Sequence, residues 1–248
     1  MFSPNTLKIL DSITNINNSI VLEYPITSFK NQNGDIMCNI DFTHLESEEW
    51  TKFGIFDLSS FLNAISILDK PEIHNENGII TATDSNSEIR YLSSDPETLS
   101  FTVGNARVVD STMNADSVAE LKIDTKIFQK IRKGATVFKN LKDLIITNEE
   151  IGKGGKGELK FITGNYNSGE FGIGAYNSYT INFEQGSNEN SLNGARVNRD
   201  FTIAIPIENF LALPPMEYTM AVKYNSERDS YRVTFFNEIF KFVLAIKI

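Results

Sequence analysis

A junction at which an apolar strand runs directly into a helix occurs once in each half of this sequence, at residues 55–62 and 204–211. Each junction has an apolar run, a helix start and then a Phe-Leu pair. Few residues are identical between the two, so the repeat is one of pattern. A chain built this way is expected to contain two similar units in succession.

Alternating apolar residues predict that most of the chain is antiparallel sheet. Ile36, Cys38, Ile40 and Phe42 occupy every second position, and the same period recurs from Phe240 to the last residue. A period of two is typical of a half-buried strand. Asn-Gly dipeptides, which tight hairpin turns favour, occur at residues 33–34, 77–78 and 193–194.

Four short helices are predicted, two in each half. Ser3, Asp57 and Asp124 can cap the first three, because their side-chain oxygens accept hydrogen bonds from amides of the first turn. The fourth is expected to begin near Pro206 and to end before Pro214. The apolar stripes of these helices are Leu7, Leu10 and Ile13; Leu58, Phe61, Leu62, Ile65 and Leu68; Ile127, Phe128 and Ile131; and Ile207, Phe210 and Leu211.

The predicted domains are residues 1–102 and 119–248, joined by a linker at residues 103–118. The linker is rich in small and polar residues and has no strong period, so we expect it to be extended. No apolar run approaches the roughly 18 residues that span a bilayer, and the start of the chain lacks the order of a secretory signal. The one cysteine, Cys38, excludes an internal disulfide and fits a reducing cytoplasm.

The formal net charge of −9 argues against a protein coated in DNA-binding charge, but it allows basic residues gathered on one face. Lys126, Lys130 and Lys133 lie off the apolar stripe of the third helix, on its exposed side. Arg132 is close by, and further basic residues are Lys139 and Lys142, with Lys8 on the first helix. Solvated surface lysines are the alternative interpretation.

No set of catalytic residues can be named. The cluster Lys153, Lys156 and Lys160 lacks the Gly-Lys-Ser/Thr ending of a phosphate-binding loop, and a hairpin tip is favoured. His44 and His74 have no second ligand at metal spacing, and no nucleophile elbow occurs. We therefore expect a protein that is not an enzyme and that has no metal site and no cofactor.

The layout resembles the DNA polymerase sliding clamps of tailed bacteriophages. The resemblance is carried by residues 13–22, 53–62, 94–96 and 119–122, whereas residues 149–157 and 184–199 are longer than the family pattern. It implies an α+β DNA clamp fold of two similar domains and a homotrimer closed into a ring, with sheets outside and helices lining the hole. Such a processivity factor encircles double-stranded DNA without sequence preference. A clamp-loader ATPase opens it, and DNA polymerase, with late-transcription factors as further candidates, docks by short peptides in the cytoplasm of the infected bacterium.

The resemblance also implies two sets of site residues. The DNA-facing set is Lys8, Lys126, Lys130, Arg132, Lys133, Lys139 and Lys142. The partner-peptide pocket is Ile40, Phe42, Val108, Val109, Leu213, Pro214 and Ile246, for which packing in the core is the alternative. A β-rich phage structural protein, such as a tail or baseplate component, is the competing function, and a small-ligand enzyme is a third.

Overall fold

The computed structural model describes residues 2–46, 50–99, 105–149, 156–166, 178–183 and 195–247. The chain forms two compact units: unit 1 is Met1–Val109 with Glu238–Phe240, and unit 2 is Asp110–Asn237 with Lys241–Ile248. The boundary between the two units falls within the predicted linker. The predicted turn at residues 193–194, Lys153 and most of the segments 149–157 and 184–199 lie outside the described residues.

Unit 1 combines two helices with short antiparallel strands. The helices are α1 (Pro4–Ser12) and α2 (Leu58–Ile65), and the strands are β1 (Ile20–Leu22), β2 (Ile26–Lys30), β3 (Ile36–Asp41), β4 (Phe53–Ile55), β5 (Glu72–Glu76), β6 (Ile79–Thr83) and β7 (Glu88–Leu92). β1 pairs with β4, β2 pairs with β3, and β5, β6 and β7 form a sheet in that order. Gly34 and Gly78 have φ angles of 76° and 78°, which confirms the hairpin turns predicted at both positions.

Unit 2 repeats this composition with longer strands. Its helices are α4 (Thr125–Val137) and α5 (Ile207–Ala212), and its strands are β8 (Asp116–Ile123), β9 (Asp143–Glu149), β10 (Lys156–Gly164), β11 (Thr180–Phe183), β12 (Ala195–Val197), β13 (Thr202–Pro206), β14 (Tyr218–Asn225), β15 (Ser230–Phe236) and β16 (Phe240–Leu244). One antiparallel sheet has the order β11-β10-β9-β13, and β12-β8-β14-β15-β16 are paired successively. The predicted α+β fold with antiparallel sheets is confirmed.

The repeat seen in the sequence has a counterpart in the hydrogen bonds. In each unit, the strand after the first helix pairs with the strand that leads into the second helix: β1 with β4, and β9 with β13. The amide of Leu58 donates to the Asn18 carbonyl at 2.7 Å, and the amide of Ile207 donates to the Lys142 carbonyl at 2.8 Å. The second helix of each unit therefore has one first-turn amide paired outside the helix. Its acceptor is a backbone carbonyl that lies just before the first strand of the pair.

The predicted helix caps are also present. The side chains of Ser3, Asp57 and Asp124 accept hydrogen bonds from the amides of Thr6, Ser60 and Ile127. These bonds satisfy donors that an α-helix leaves unpaired in its first turn. The fourth helix begins after Pro206 and has no side-chain cap, and its short run ends at Ala212.

The prediction that residues 103–118 are extended is wrong for residues 105–113. Residues 105–113 form a helix, α3 (Asn105–Met113), and β8 begins at Asp116. The helical period was not visible because Val109 is the one fully buried side chain among the residues of α3 whose burial is described. Val108 and Thr112 are β-branched, which lowers helix propensity further. The change of unit lies inside this helix.

Gly134 marks a close approach between α4 and the rest of unit 2. A Cβ atom at this position would lie 2.0 Å from Cδ1 of Tyr179. Tyr179 is held in place by its backbone, since its amide donates to Oγ1 of Thr163 and its carbonyl accepts from the Thr163 amide. The helix can therefore pack this closely only where it has no side chain.

We expect Gly134→Ala to destabilise the protein in thermal or urea unfolding. Alanine gains up to about 1 kcal/mol of helix propensity over glycine, but overpacking a contact costs about 1–3 kcal/mol. In a Tyr179→Ala background the clash is absent, and the same substitution should become stabilising. An equal effect of Gly134→Ala in both backgrounds would contradict this packing.

Candidate nucleic-acid interface

The orientation of α4 is set by the aromatic residues that it buries. Phe128 has no exposed surface, and its ring lies 4.9 Å from that of Phe210 and 5.3 Å from that of Tyr218. Ile131 is also buried, whereas Ile127 is half-buried. Each buried side chain of this size contributes about 1.5–3 kcal/mol, so this face of the helix is firmly fixed.

Lys126, Lys130 and Lys133 are consequently exposed on the opposite side of α4. Their positions span about 10 Å along the helix axis at 1.5 Å per residue. Among the described residues, none of the three forms an ion pair. The helix itself contains no acidic residue. We call these three residues the α4 lysine row; it presents three mobile cations to solvent, a suitable arrangement for weak contact with phosphates.

Lys139 and Lys142, which follow α4, are also exposed. The backbone of Lys142 has a structural role, because its amide donates to Oδ1 of Asn165 and its carbonyl accepts from Ile207. The side chains of both lysines are exposed. That they face DNA remains a prediction.

Arg132 differs from the other basic residues of α4. It is partly buried, and its Nη1 atom donates to the carbonyls of Leu211 and Leu213 at 2.6 and 2.8 Å. Burial lowers the pKa of this guanidinium from its ordinary value, and the phenol of Tyr218 opposes the shift. Arg132 thus ties α4 to the carbonyls at the end of α5, which a helix leaves unpaired. This bonding favours a structural role over the predicted DNA contact.

The helices of unit 1 offer little positive charge. Lys8 is exposed on α1, and α2 contains no basic residue. Lys8 and Asp11 both line a groove of about 340 Å³ between α1 and α2. The carboxylate of Asp57 at the start of α2 accepts hydrogen bonds from Ser60 and Asn18, which lower its pKa.

Five of the seven side chains predicted to line the peptide pocket are buried in the structure. Ile40, Phe42 and Val109 in unit 1 have no exposed surface, and Leu213 and Pro214 in unit 2 are buried. That these five side chains contact a partner peptide remains a prediction. Val108 is 38% exposed and Ile246 is half-buried, so a peptide contact at these two positions remains a prediction.

Within the described ranges, no three His, Cys, Asp or Glu side chains lie close enough together to hold a metal ion. His44 and His74 are both exposed, and Cys38 is buried. None of the helices in these ranges is long and apolar enough to cross a membrane.

The chain is similar in structure to the proliferating cellular nuclear antigen of Entamoeba histolytica. The TM-score is 0.65, the match covers 98% of this chain and 94% of that chain, and the sequences are 13% identical. No protein-family model and no curated protein matches the sequence. At this identity the likeness shows the fold alone, and it confirms the predicted α+β DNA clamp fold.

The two roles on α4 can be separated by substitution. We expect Arg132→Ala to lower the free energy of unfolding by about 1.5–3 kcal/mol, because two carbonyls lose the one charged Nη1 donor that they share and a hydrogen bond to a charged group contributes about this much. Arg132→Lys should recover only part of this, since an ammonium lacks the planar fork of a guanidinium. Lys130→Ala on the same helix is the control and should leave unfolding unchanged. Equal stability of the two alanine variants would contradict the structural role of Arg132.

Proposed function

We propose that this protein is a DNA polymerase processivity factor, a sliding clamp of three identical copies closed around duplex DNA. The observation that carries the proposal is the α4 lysine row, fixed outward by Phe128 on a chain with the DNA clamp fold. A clamp-loader ATPase is proposed to open the ring. DNA polymerase and late-transcription factors are proposed to dock on it in the cytoplasm of a bacterium infected by a phage. The protein itself is proposed to have no catalytic activity.

A free row of lysines suits this task better than a rigid binding site would. Phosphate contacts carry no sequence information, and their strength falls steeply with salt. A protein that must move along DNA needs phosphate contacts that are equally strong at every position along the duplex. Exposed lysines supply such contacts because each ammonium is a point charge on a flexible stem. Retention on DNA is then left to the closed shape of the ring.

Ring closure can be tested without a loader. Protein is first allowed to thread onto linear duplex DNA, and the DNA ends are then ligated. We expect the protein to stay on the closed circle in high salt, which screens contacts made by charge alone. Cutting the circle once should release it. A simple DNA binder would dissociate from circle and cut DNA alike, and a tail or baseplate protein would be retained on neither. Native mass should correspond to three chains, and a monomer would overturn the proposal.

Reversing charge on the α4 lysine row should weaken threading. We expect Lys130→Glu with Lys133→Glu to lower the amount of protein trapped by ligation at low salt, while the thermal unfolding temperature stays the same, because both side chains are exposed. Lys52→Glu with Arg228→Glu, at exposed positions outside the helices, changes the net charge equally and is the control. Unchanged trapping in the Lys130 and Lys133 variant would remove the row from the DNA interface.

A further inference from the structure

We propose that each copy attracts DNA phosphates through unit 2, chiefly through α4, and that the helix pair of unit 1 adds no attraction. This inference rests on the proposed function, and it concerns which part of one chain attracts DNA. It would give a ring of three copies three separate cationic patches, one per copy.

The charge of the chain is divided very unequally between the two units. Unit 1 contains six Lys and Arg against 16 Asp and Glu, a net charge of −10. Unit 2 contains 17 Lys and Arg against 16 Asp and Glu, a net charge of +1. The formal charge of −9 for the whole chain therefore describes neither half. A DNA phosphate near unit 1 meets a surface that repels it overall.

The helix pairs show the same division at close range. In unit 2, α4 contains three exposed lysines and Arg132, and α5 adds one acid, Glu208. In unit 1, α1 contains one base and one acid, Lys8 and Asp11, and α2 contains no charged residue at all.

Lys8 is not an independent phosphate contact, because Asp11 lies beside it. Helix positions three apart have Cβ atoms about 5–6 Å from each other. The Debye length in physiological salt is about 8 Å. A phosphate therefore experiences the two charges as a nearly neutral pair.

On α4, in contrast, no acidic residue lies close enough in the helix to neutralise the lysines. The nearest acid in the sequence is Asp124, whose carboxylate caps the helix by accepting from the amide of Ile127 at 2.7 Å. The three lysines reinforce one another because all lie within about 10 Å along the axis. The helix α5, which packs against α4, contains one acidic residue, Glu208, so the two helices together keep a positive excess.

The test compares two exposed helix lysines, one from each unit, in the full-length protein. Binding to a short linear duplex is measured between about 50 and 200 mM salt, where the logarithm of the binding constant falls by about 0.9 per phosphate contact for each unit of log salt. Lys130→Ala removes one lysine from each of the three copies, so we expect it to flatten this slope by about 0.9 for each copy that contacts DNA, or by up to about 2.7 for the ring. Lys8→Ala should leave the slope as in the native protein. Both positions are exposed, so both variants should unfold at the native temperature.

Three results would overturn the inference: a Lys8→Ala slope as flat as that of Lys130→Ala, a change in Lys8→Ala alone, or no change in either variant. Failure of the proposed function is recognised separately by the ligation experiment. A native protein that is trapped on circles, but whose slope flattens in Lys8→Ala, is still a clamp with its grip shared by both units. A native protein that is never trapped on circles is not a clamp.

Discussion

Burial of Phe128 is the interaction on which the proposed interface depends. The ring contacts Phe210, Tyr218 and Phe235, all of which are buried in unit 2. Aromatic pairs at these distances add about 0.5–1.5 kcal/mol each to the free energy of area burial. Because one face of α4 is held this firmly, the other face is fixed as well. The lysines are exposed as a consequence of core packing, and no contact of their own is needed to hold them outward.

Features that depend on near neighbours in the chain could be predicted from the sequence. Ser3, Asp57 and Asp124 cap the helices that their side-chain chemistry indicated, because a cap acts on amides two or three residues away. The Asn-Gly turns at 33–34 and 77–78 are equally local. The repeated strand-to-helix junction was visible because each unit needs an apolar strand and an apolar helix face in the same order. The exposed side of α4 followed from the same helical period.

Features that depend on distant parts of the chain could not be predicted. Arg132 bonds to carbonyls that are 79 and 81 residues away, so the sequence showed only a base between two exposed lysines. The burial of the predicted peptide-pocket residues could not be predicted for a related reason. Ile40 and Phe42 follow the period of a strand, but that period does not tell whether the apolar face packs inside the chain or stays open for a partner. The helix α3 was missed because it buries fully only Val109 among the side chains whose burial is described.

A net negative chain can serve as a DNA clamp only if attraction and retention are separate. Three lysines per copy would give nine cations in a ring of three copies, and a slope near −8 if all nine bound phosphates at once. Contacts of this kind alone correspond to dissociation constants of about 10⁻⁴–10⁻⁶ M at physiological salt. Such binding is too weak to hold a polymerase partner on DNA for long, and it is weak enough to let the protein move. A charge balance of −10 in unit 1 and +1 in unit 2 therefore suits a ring better than it suits an open DNA-binding protein. An open protein would need to bind DNA tightly in order to stay on it, whereas tight binding would slow the movement of a closed ring along DNA.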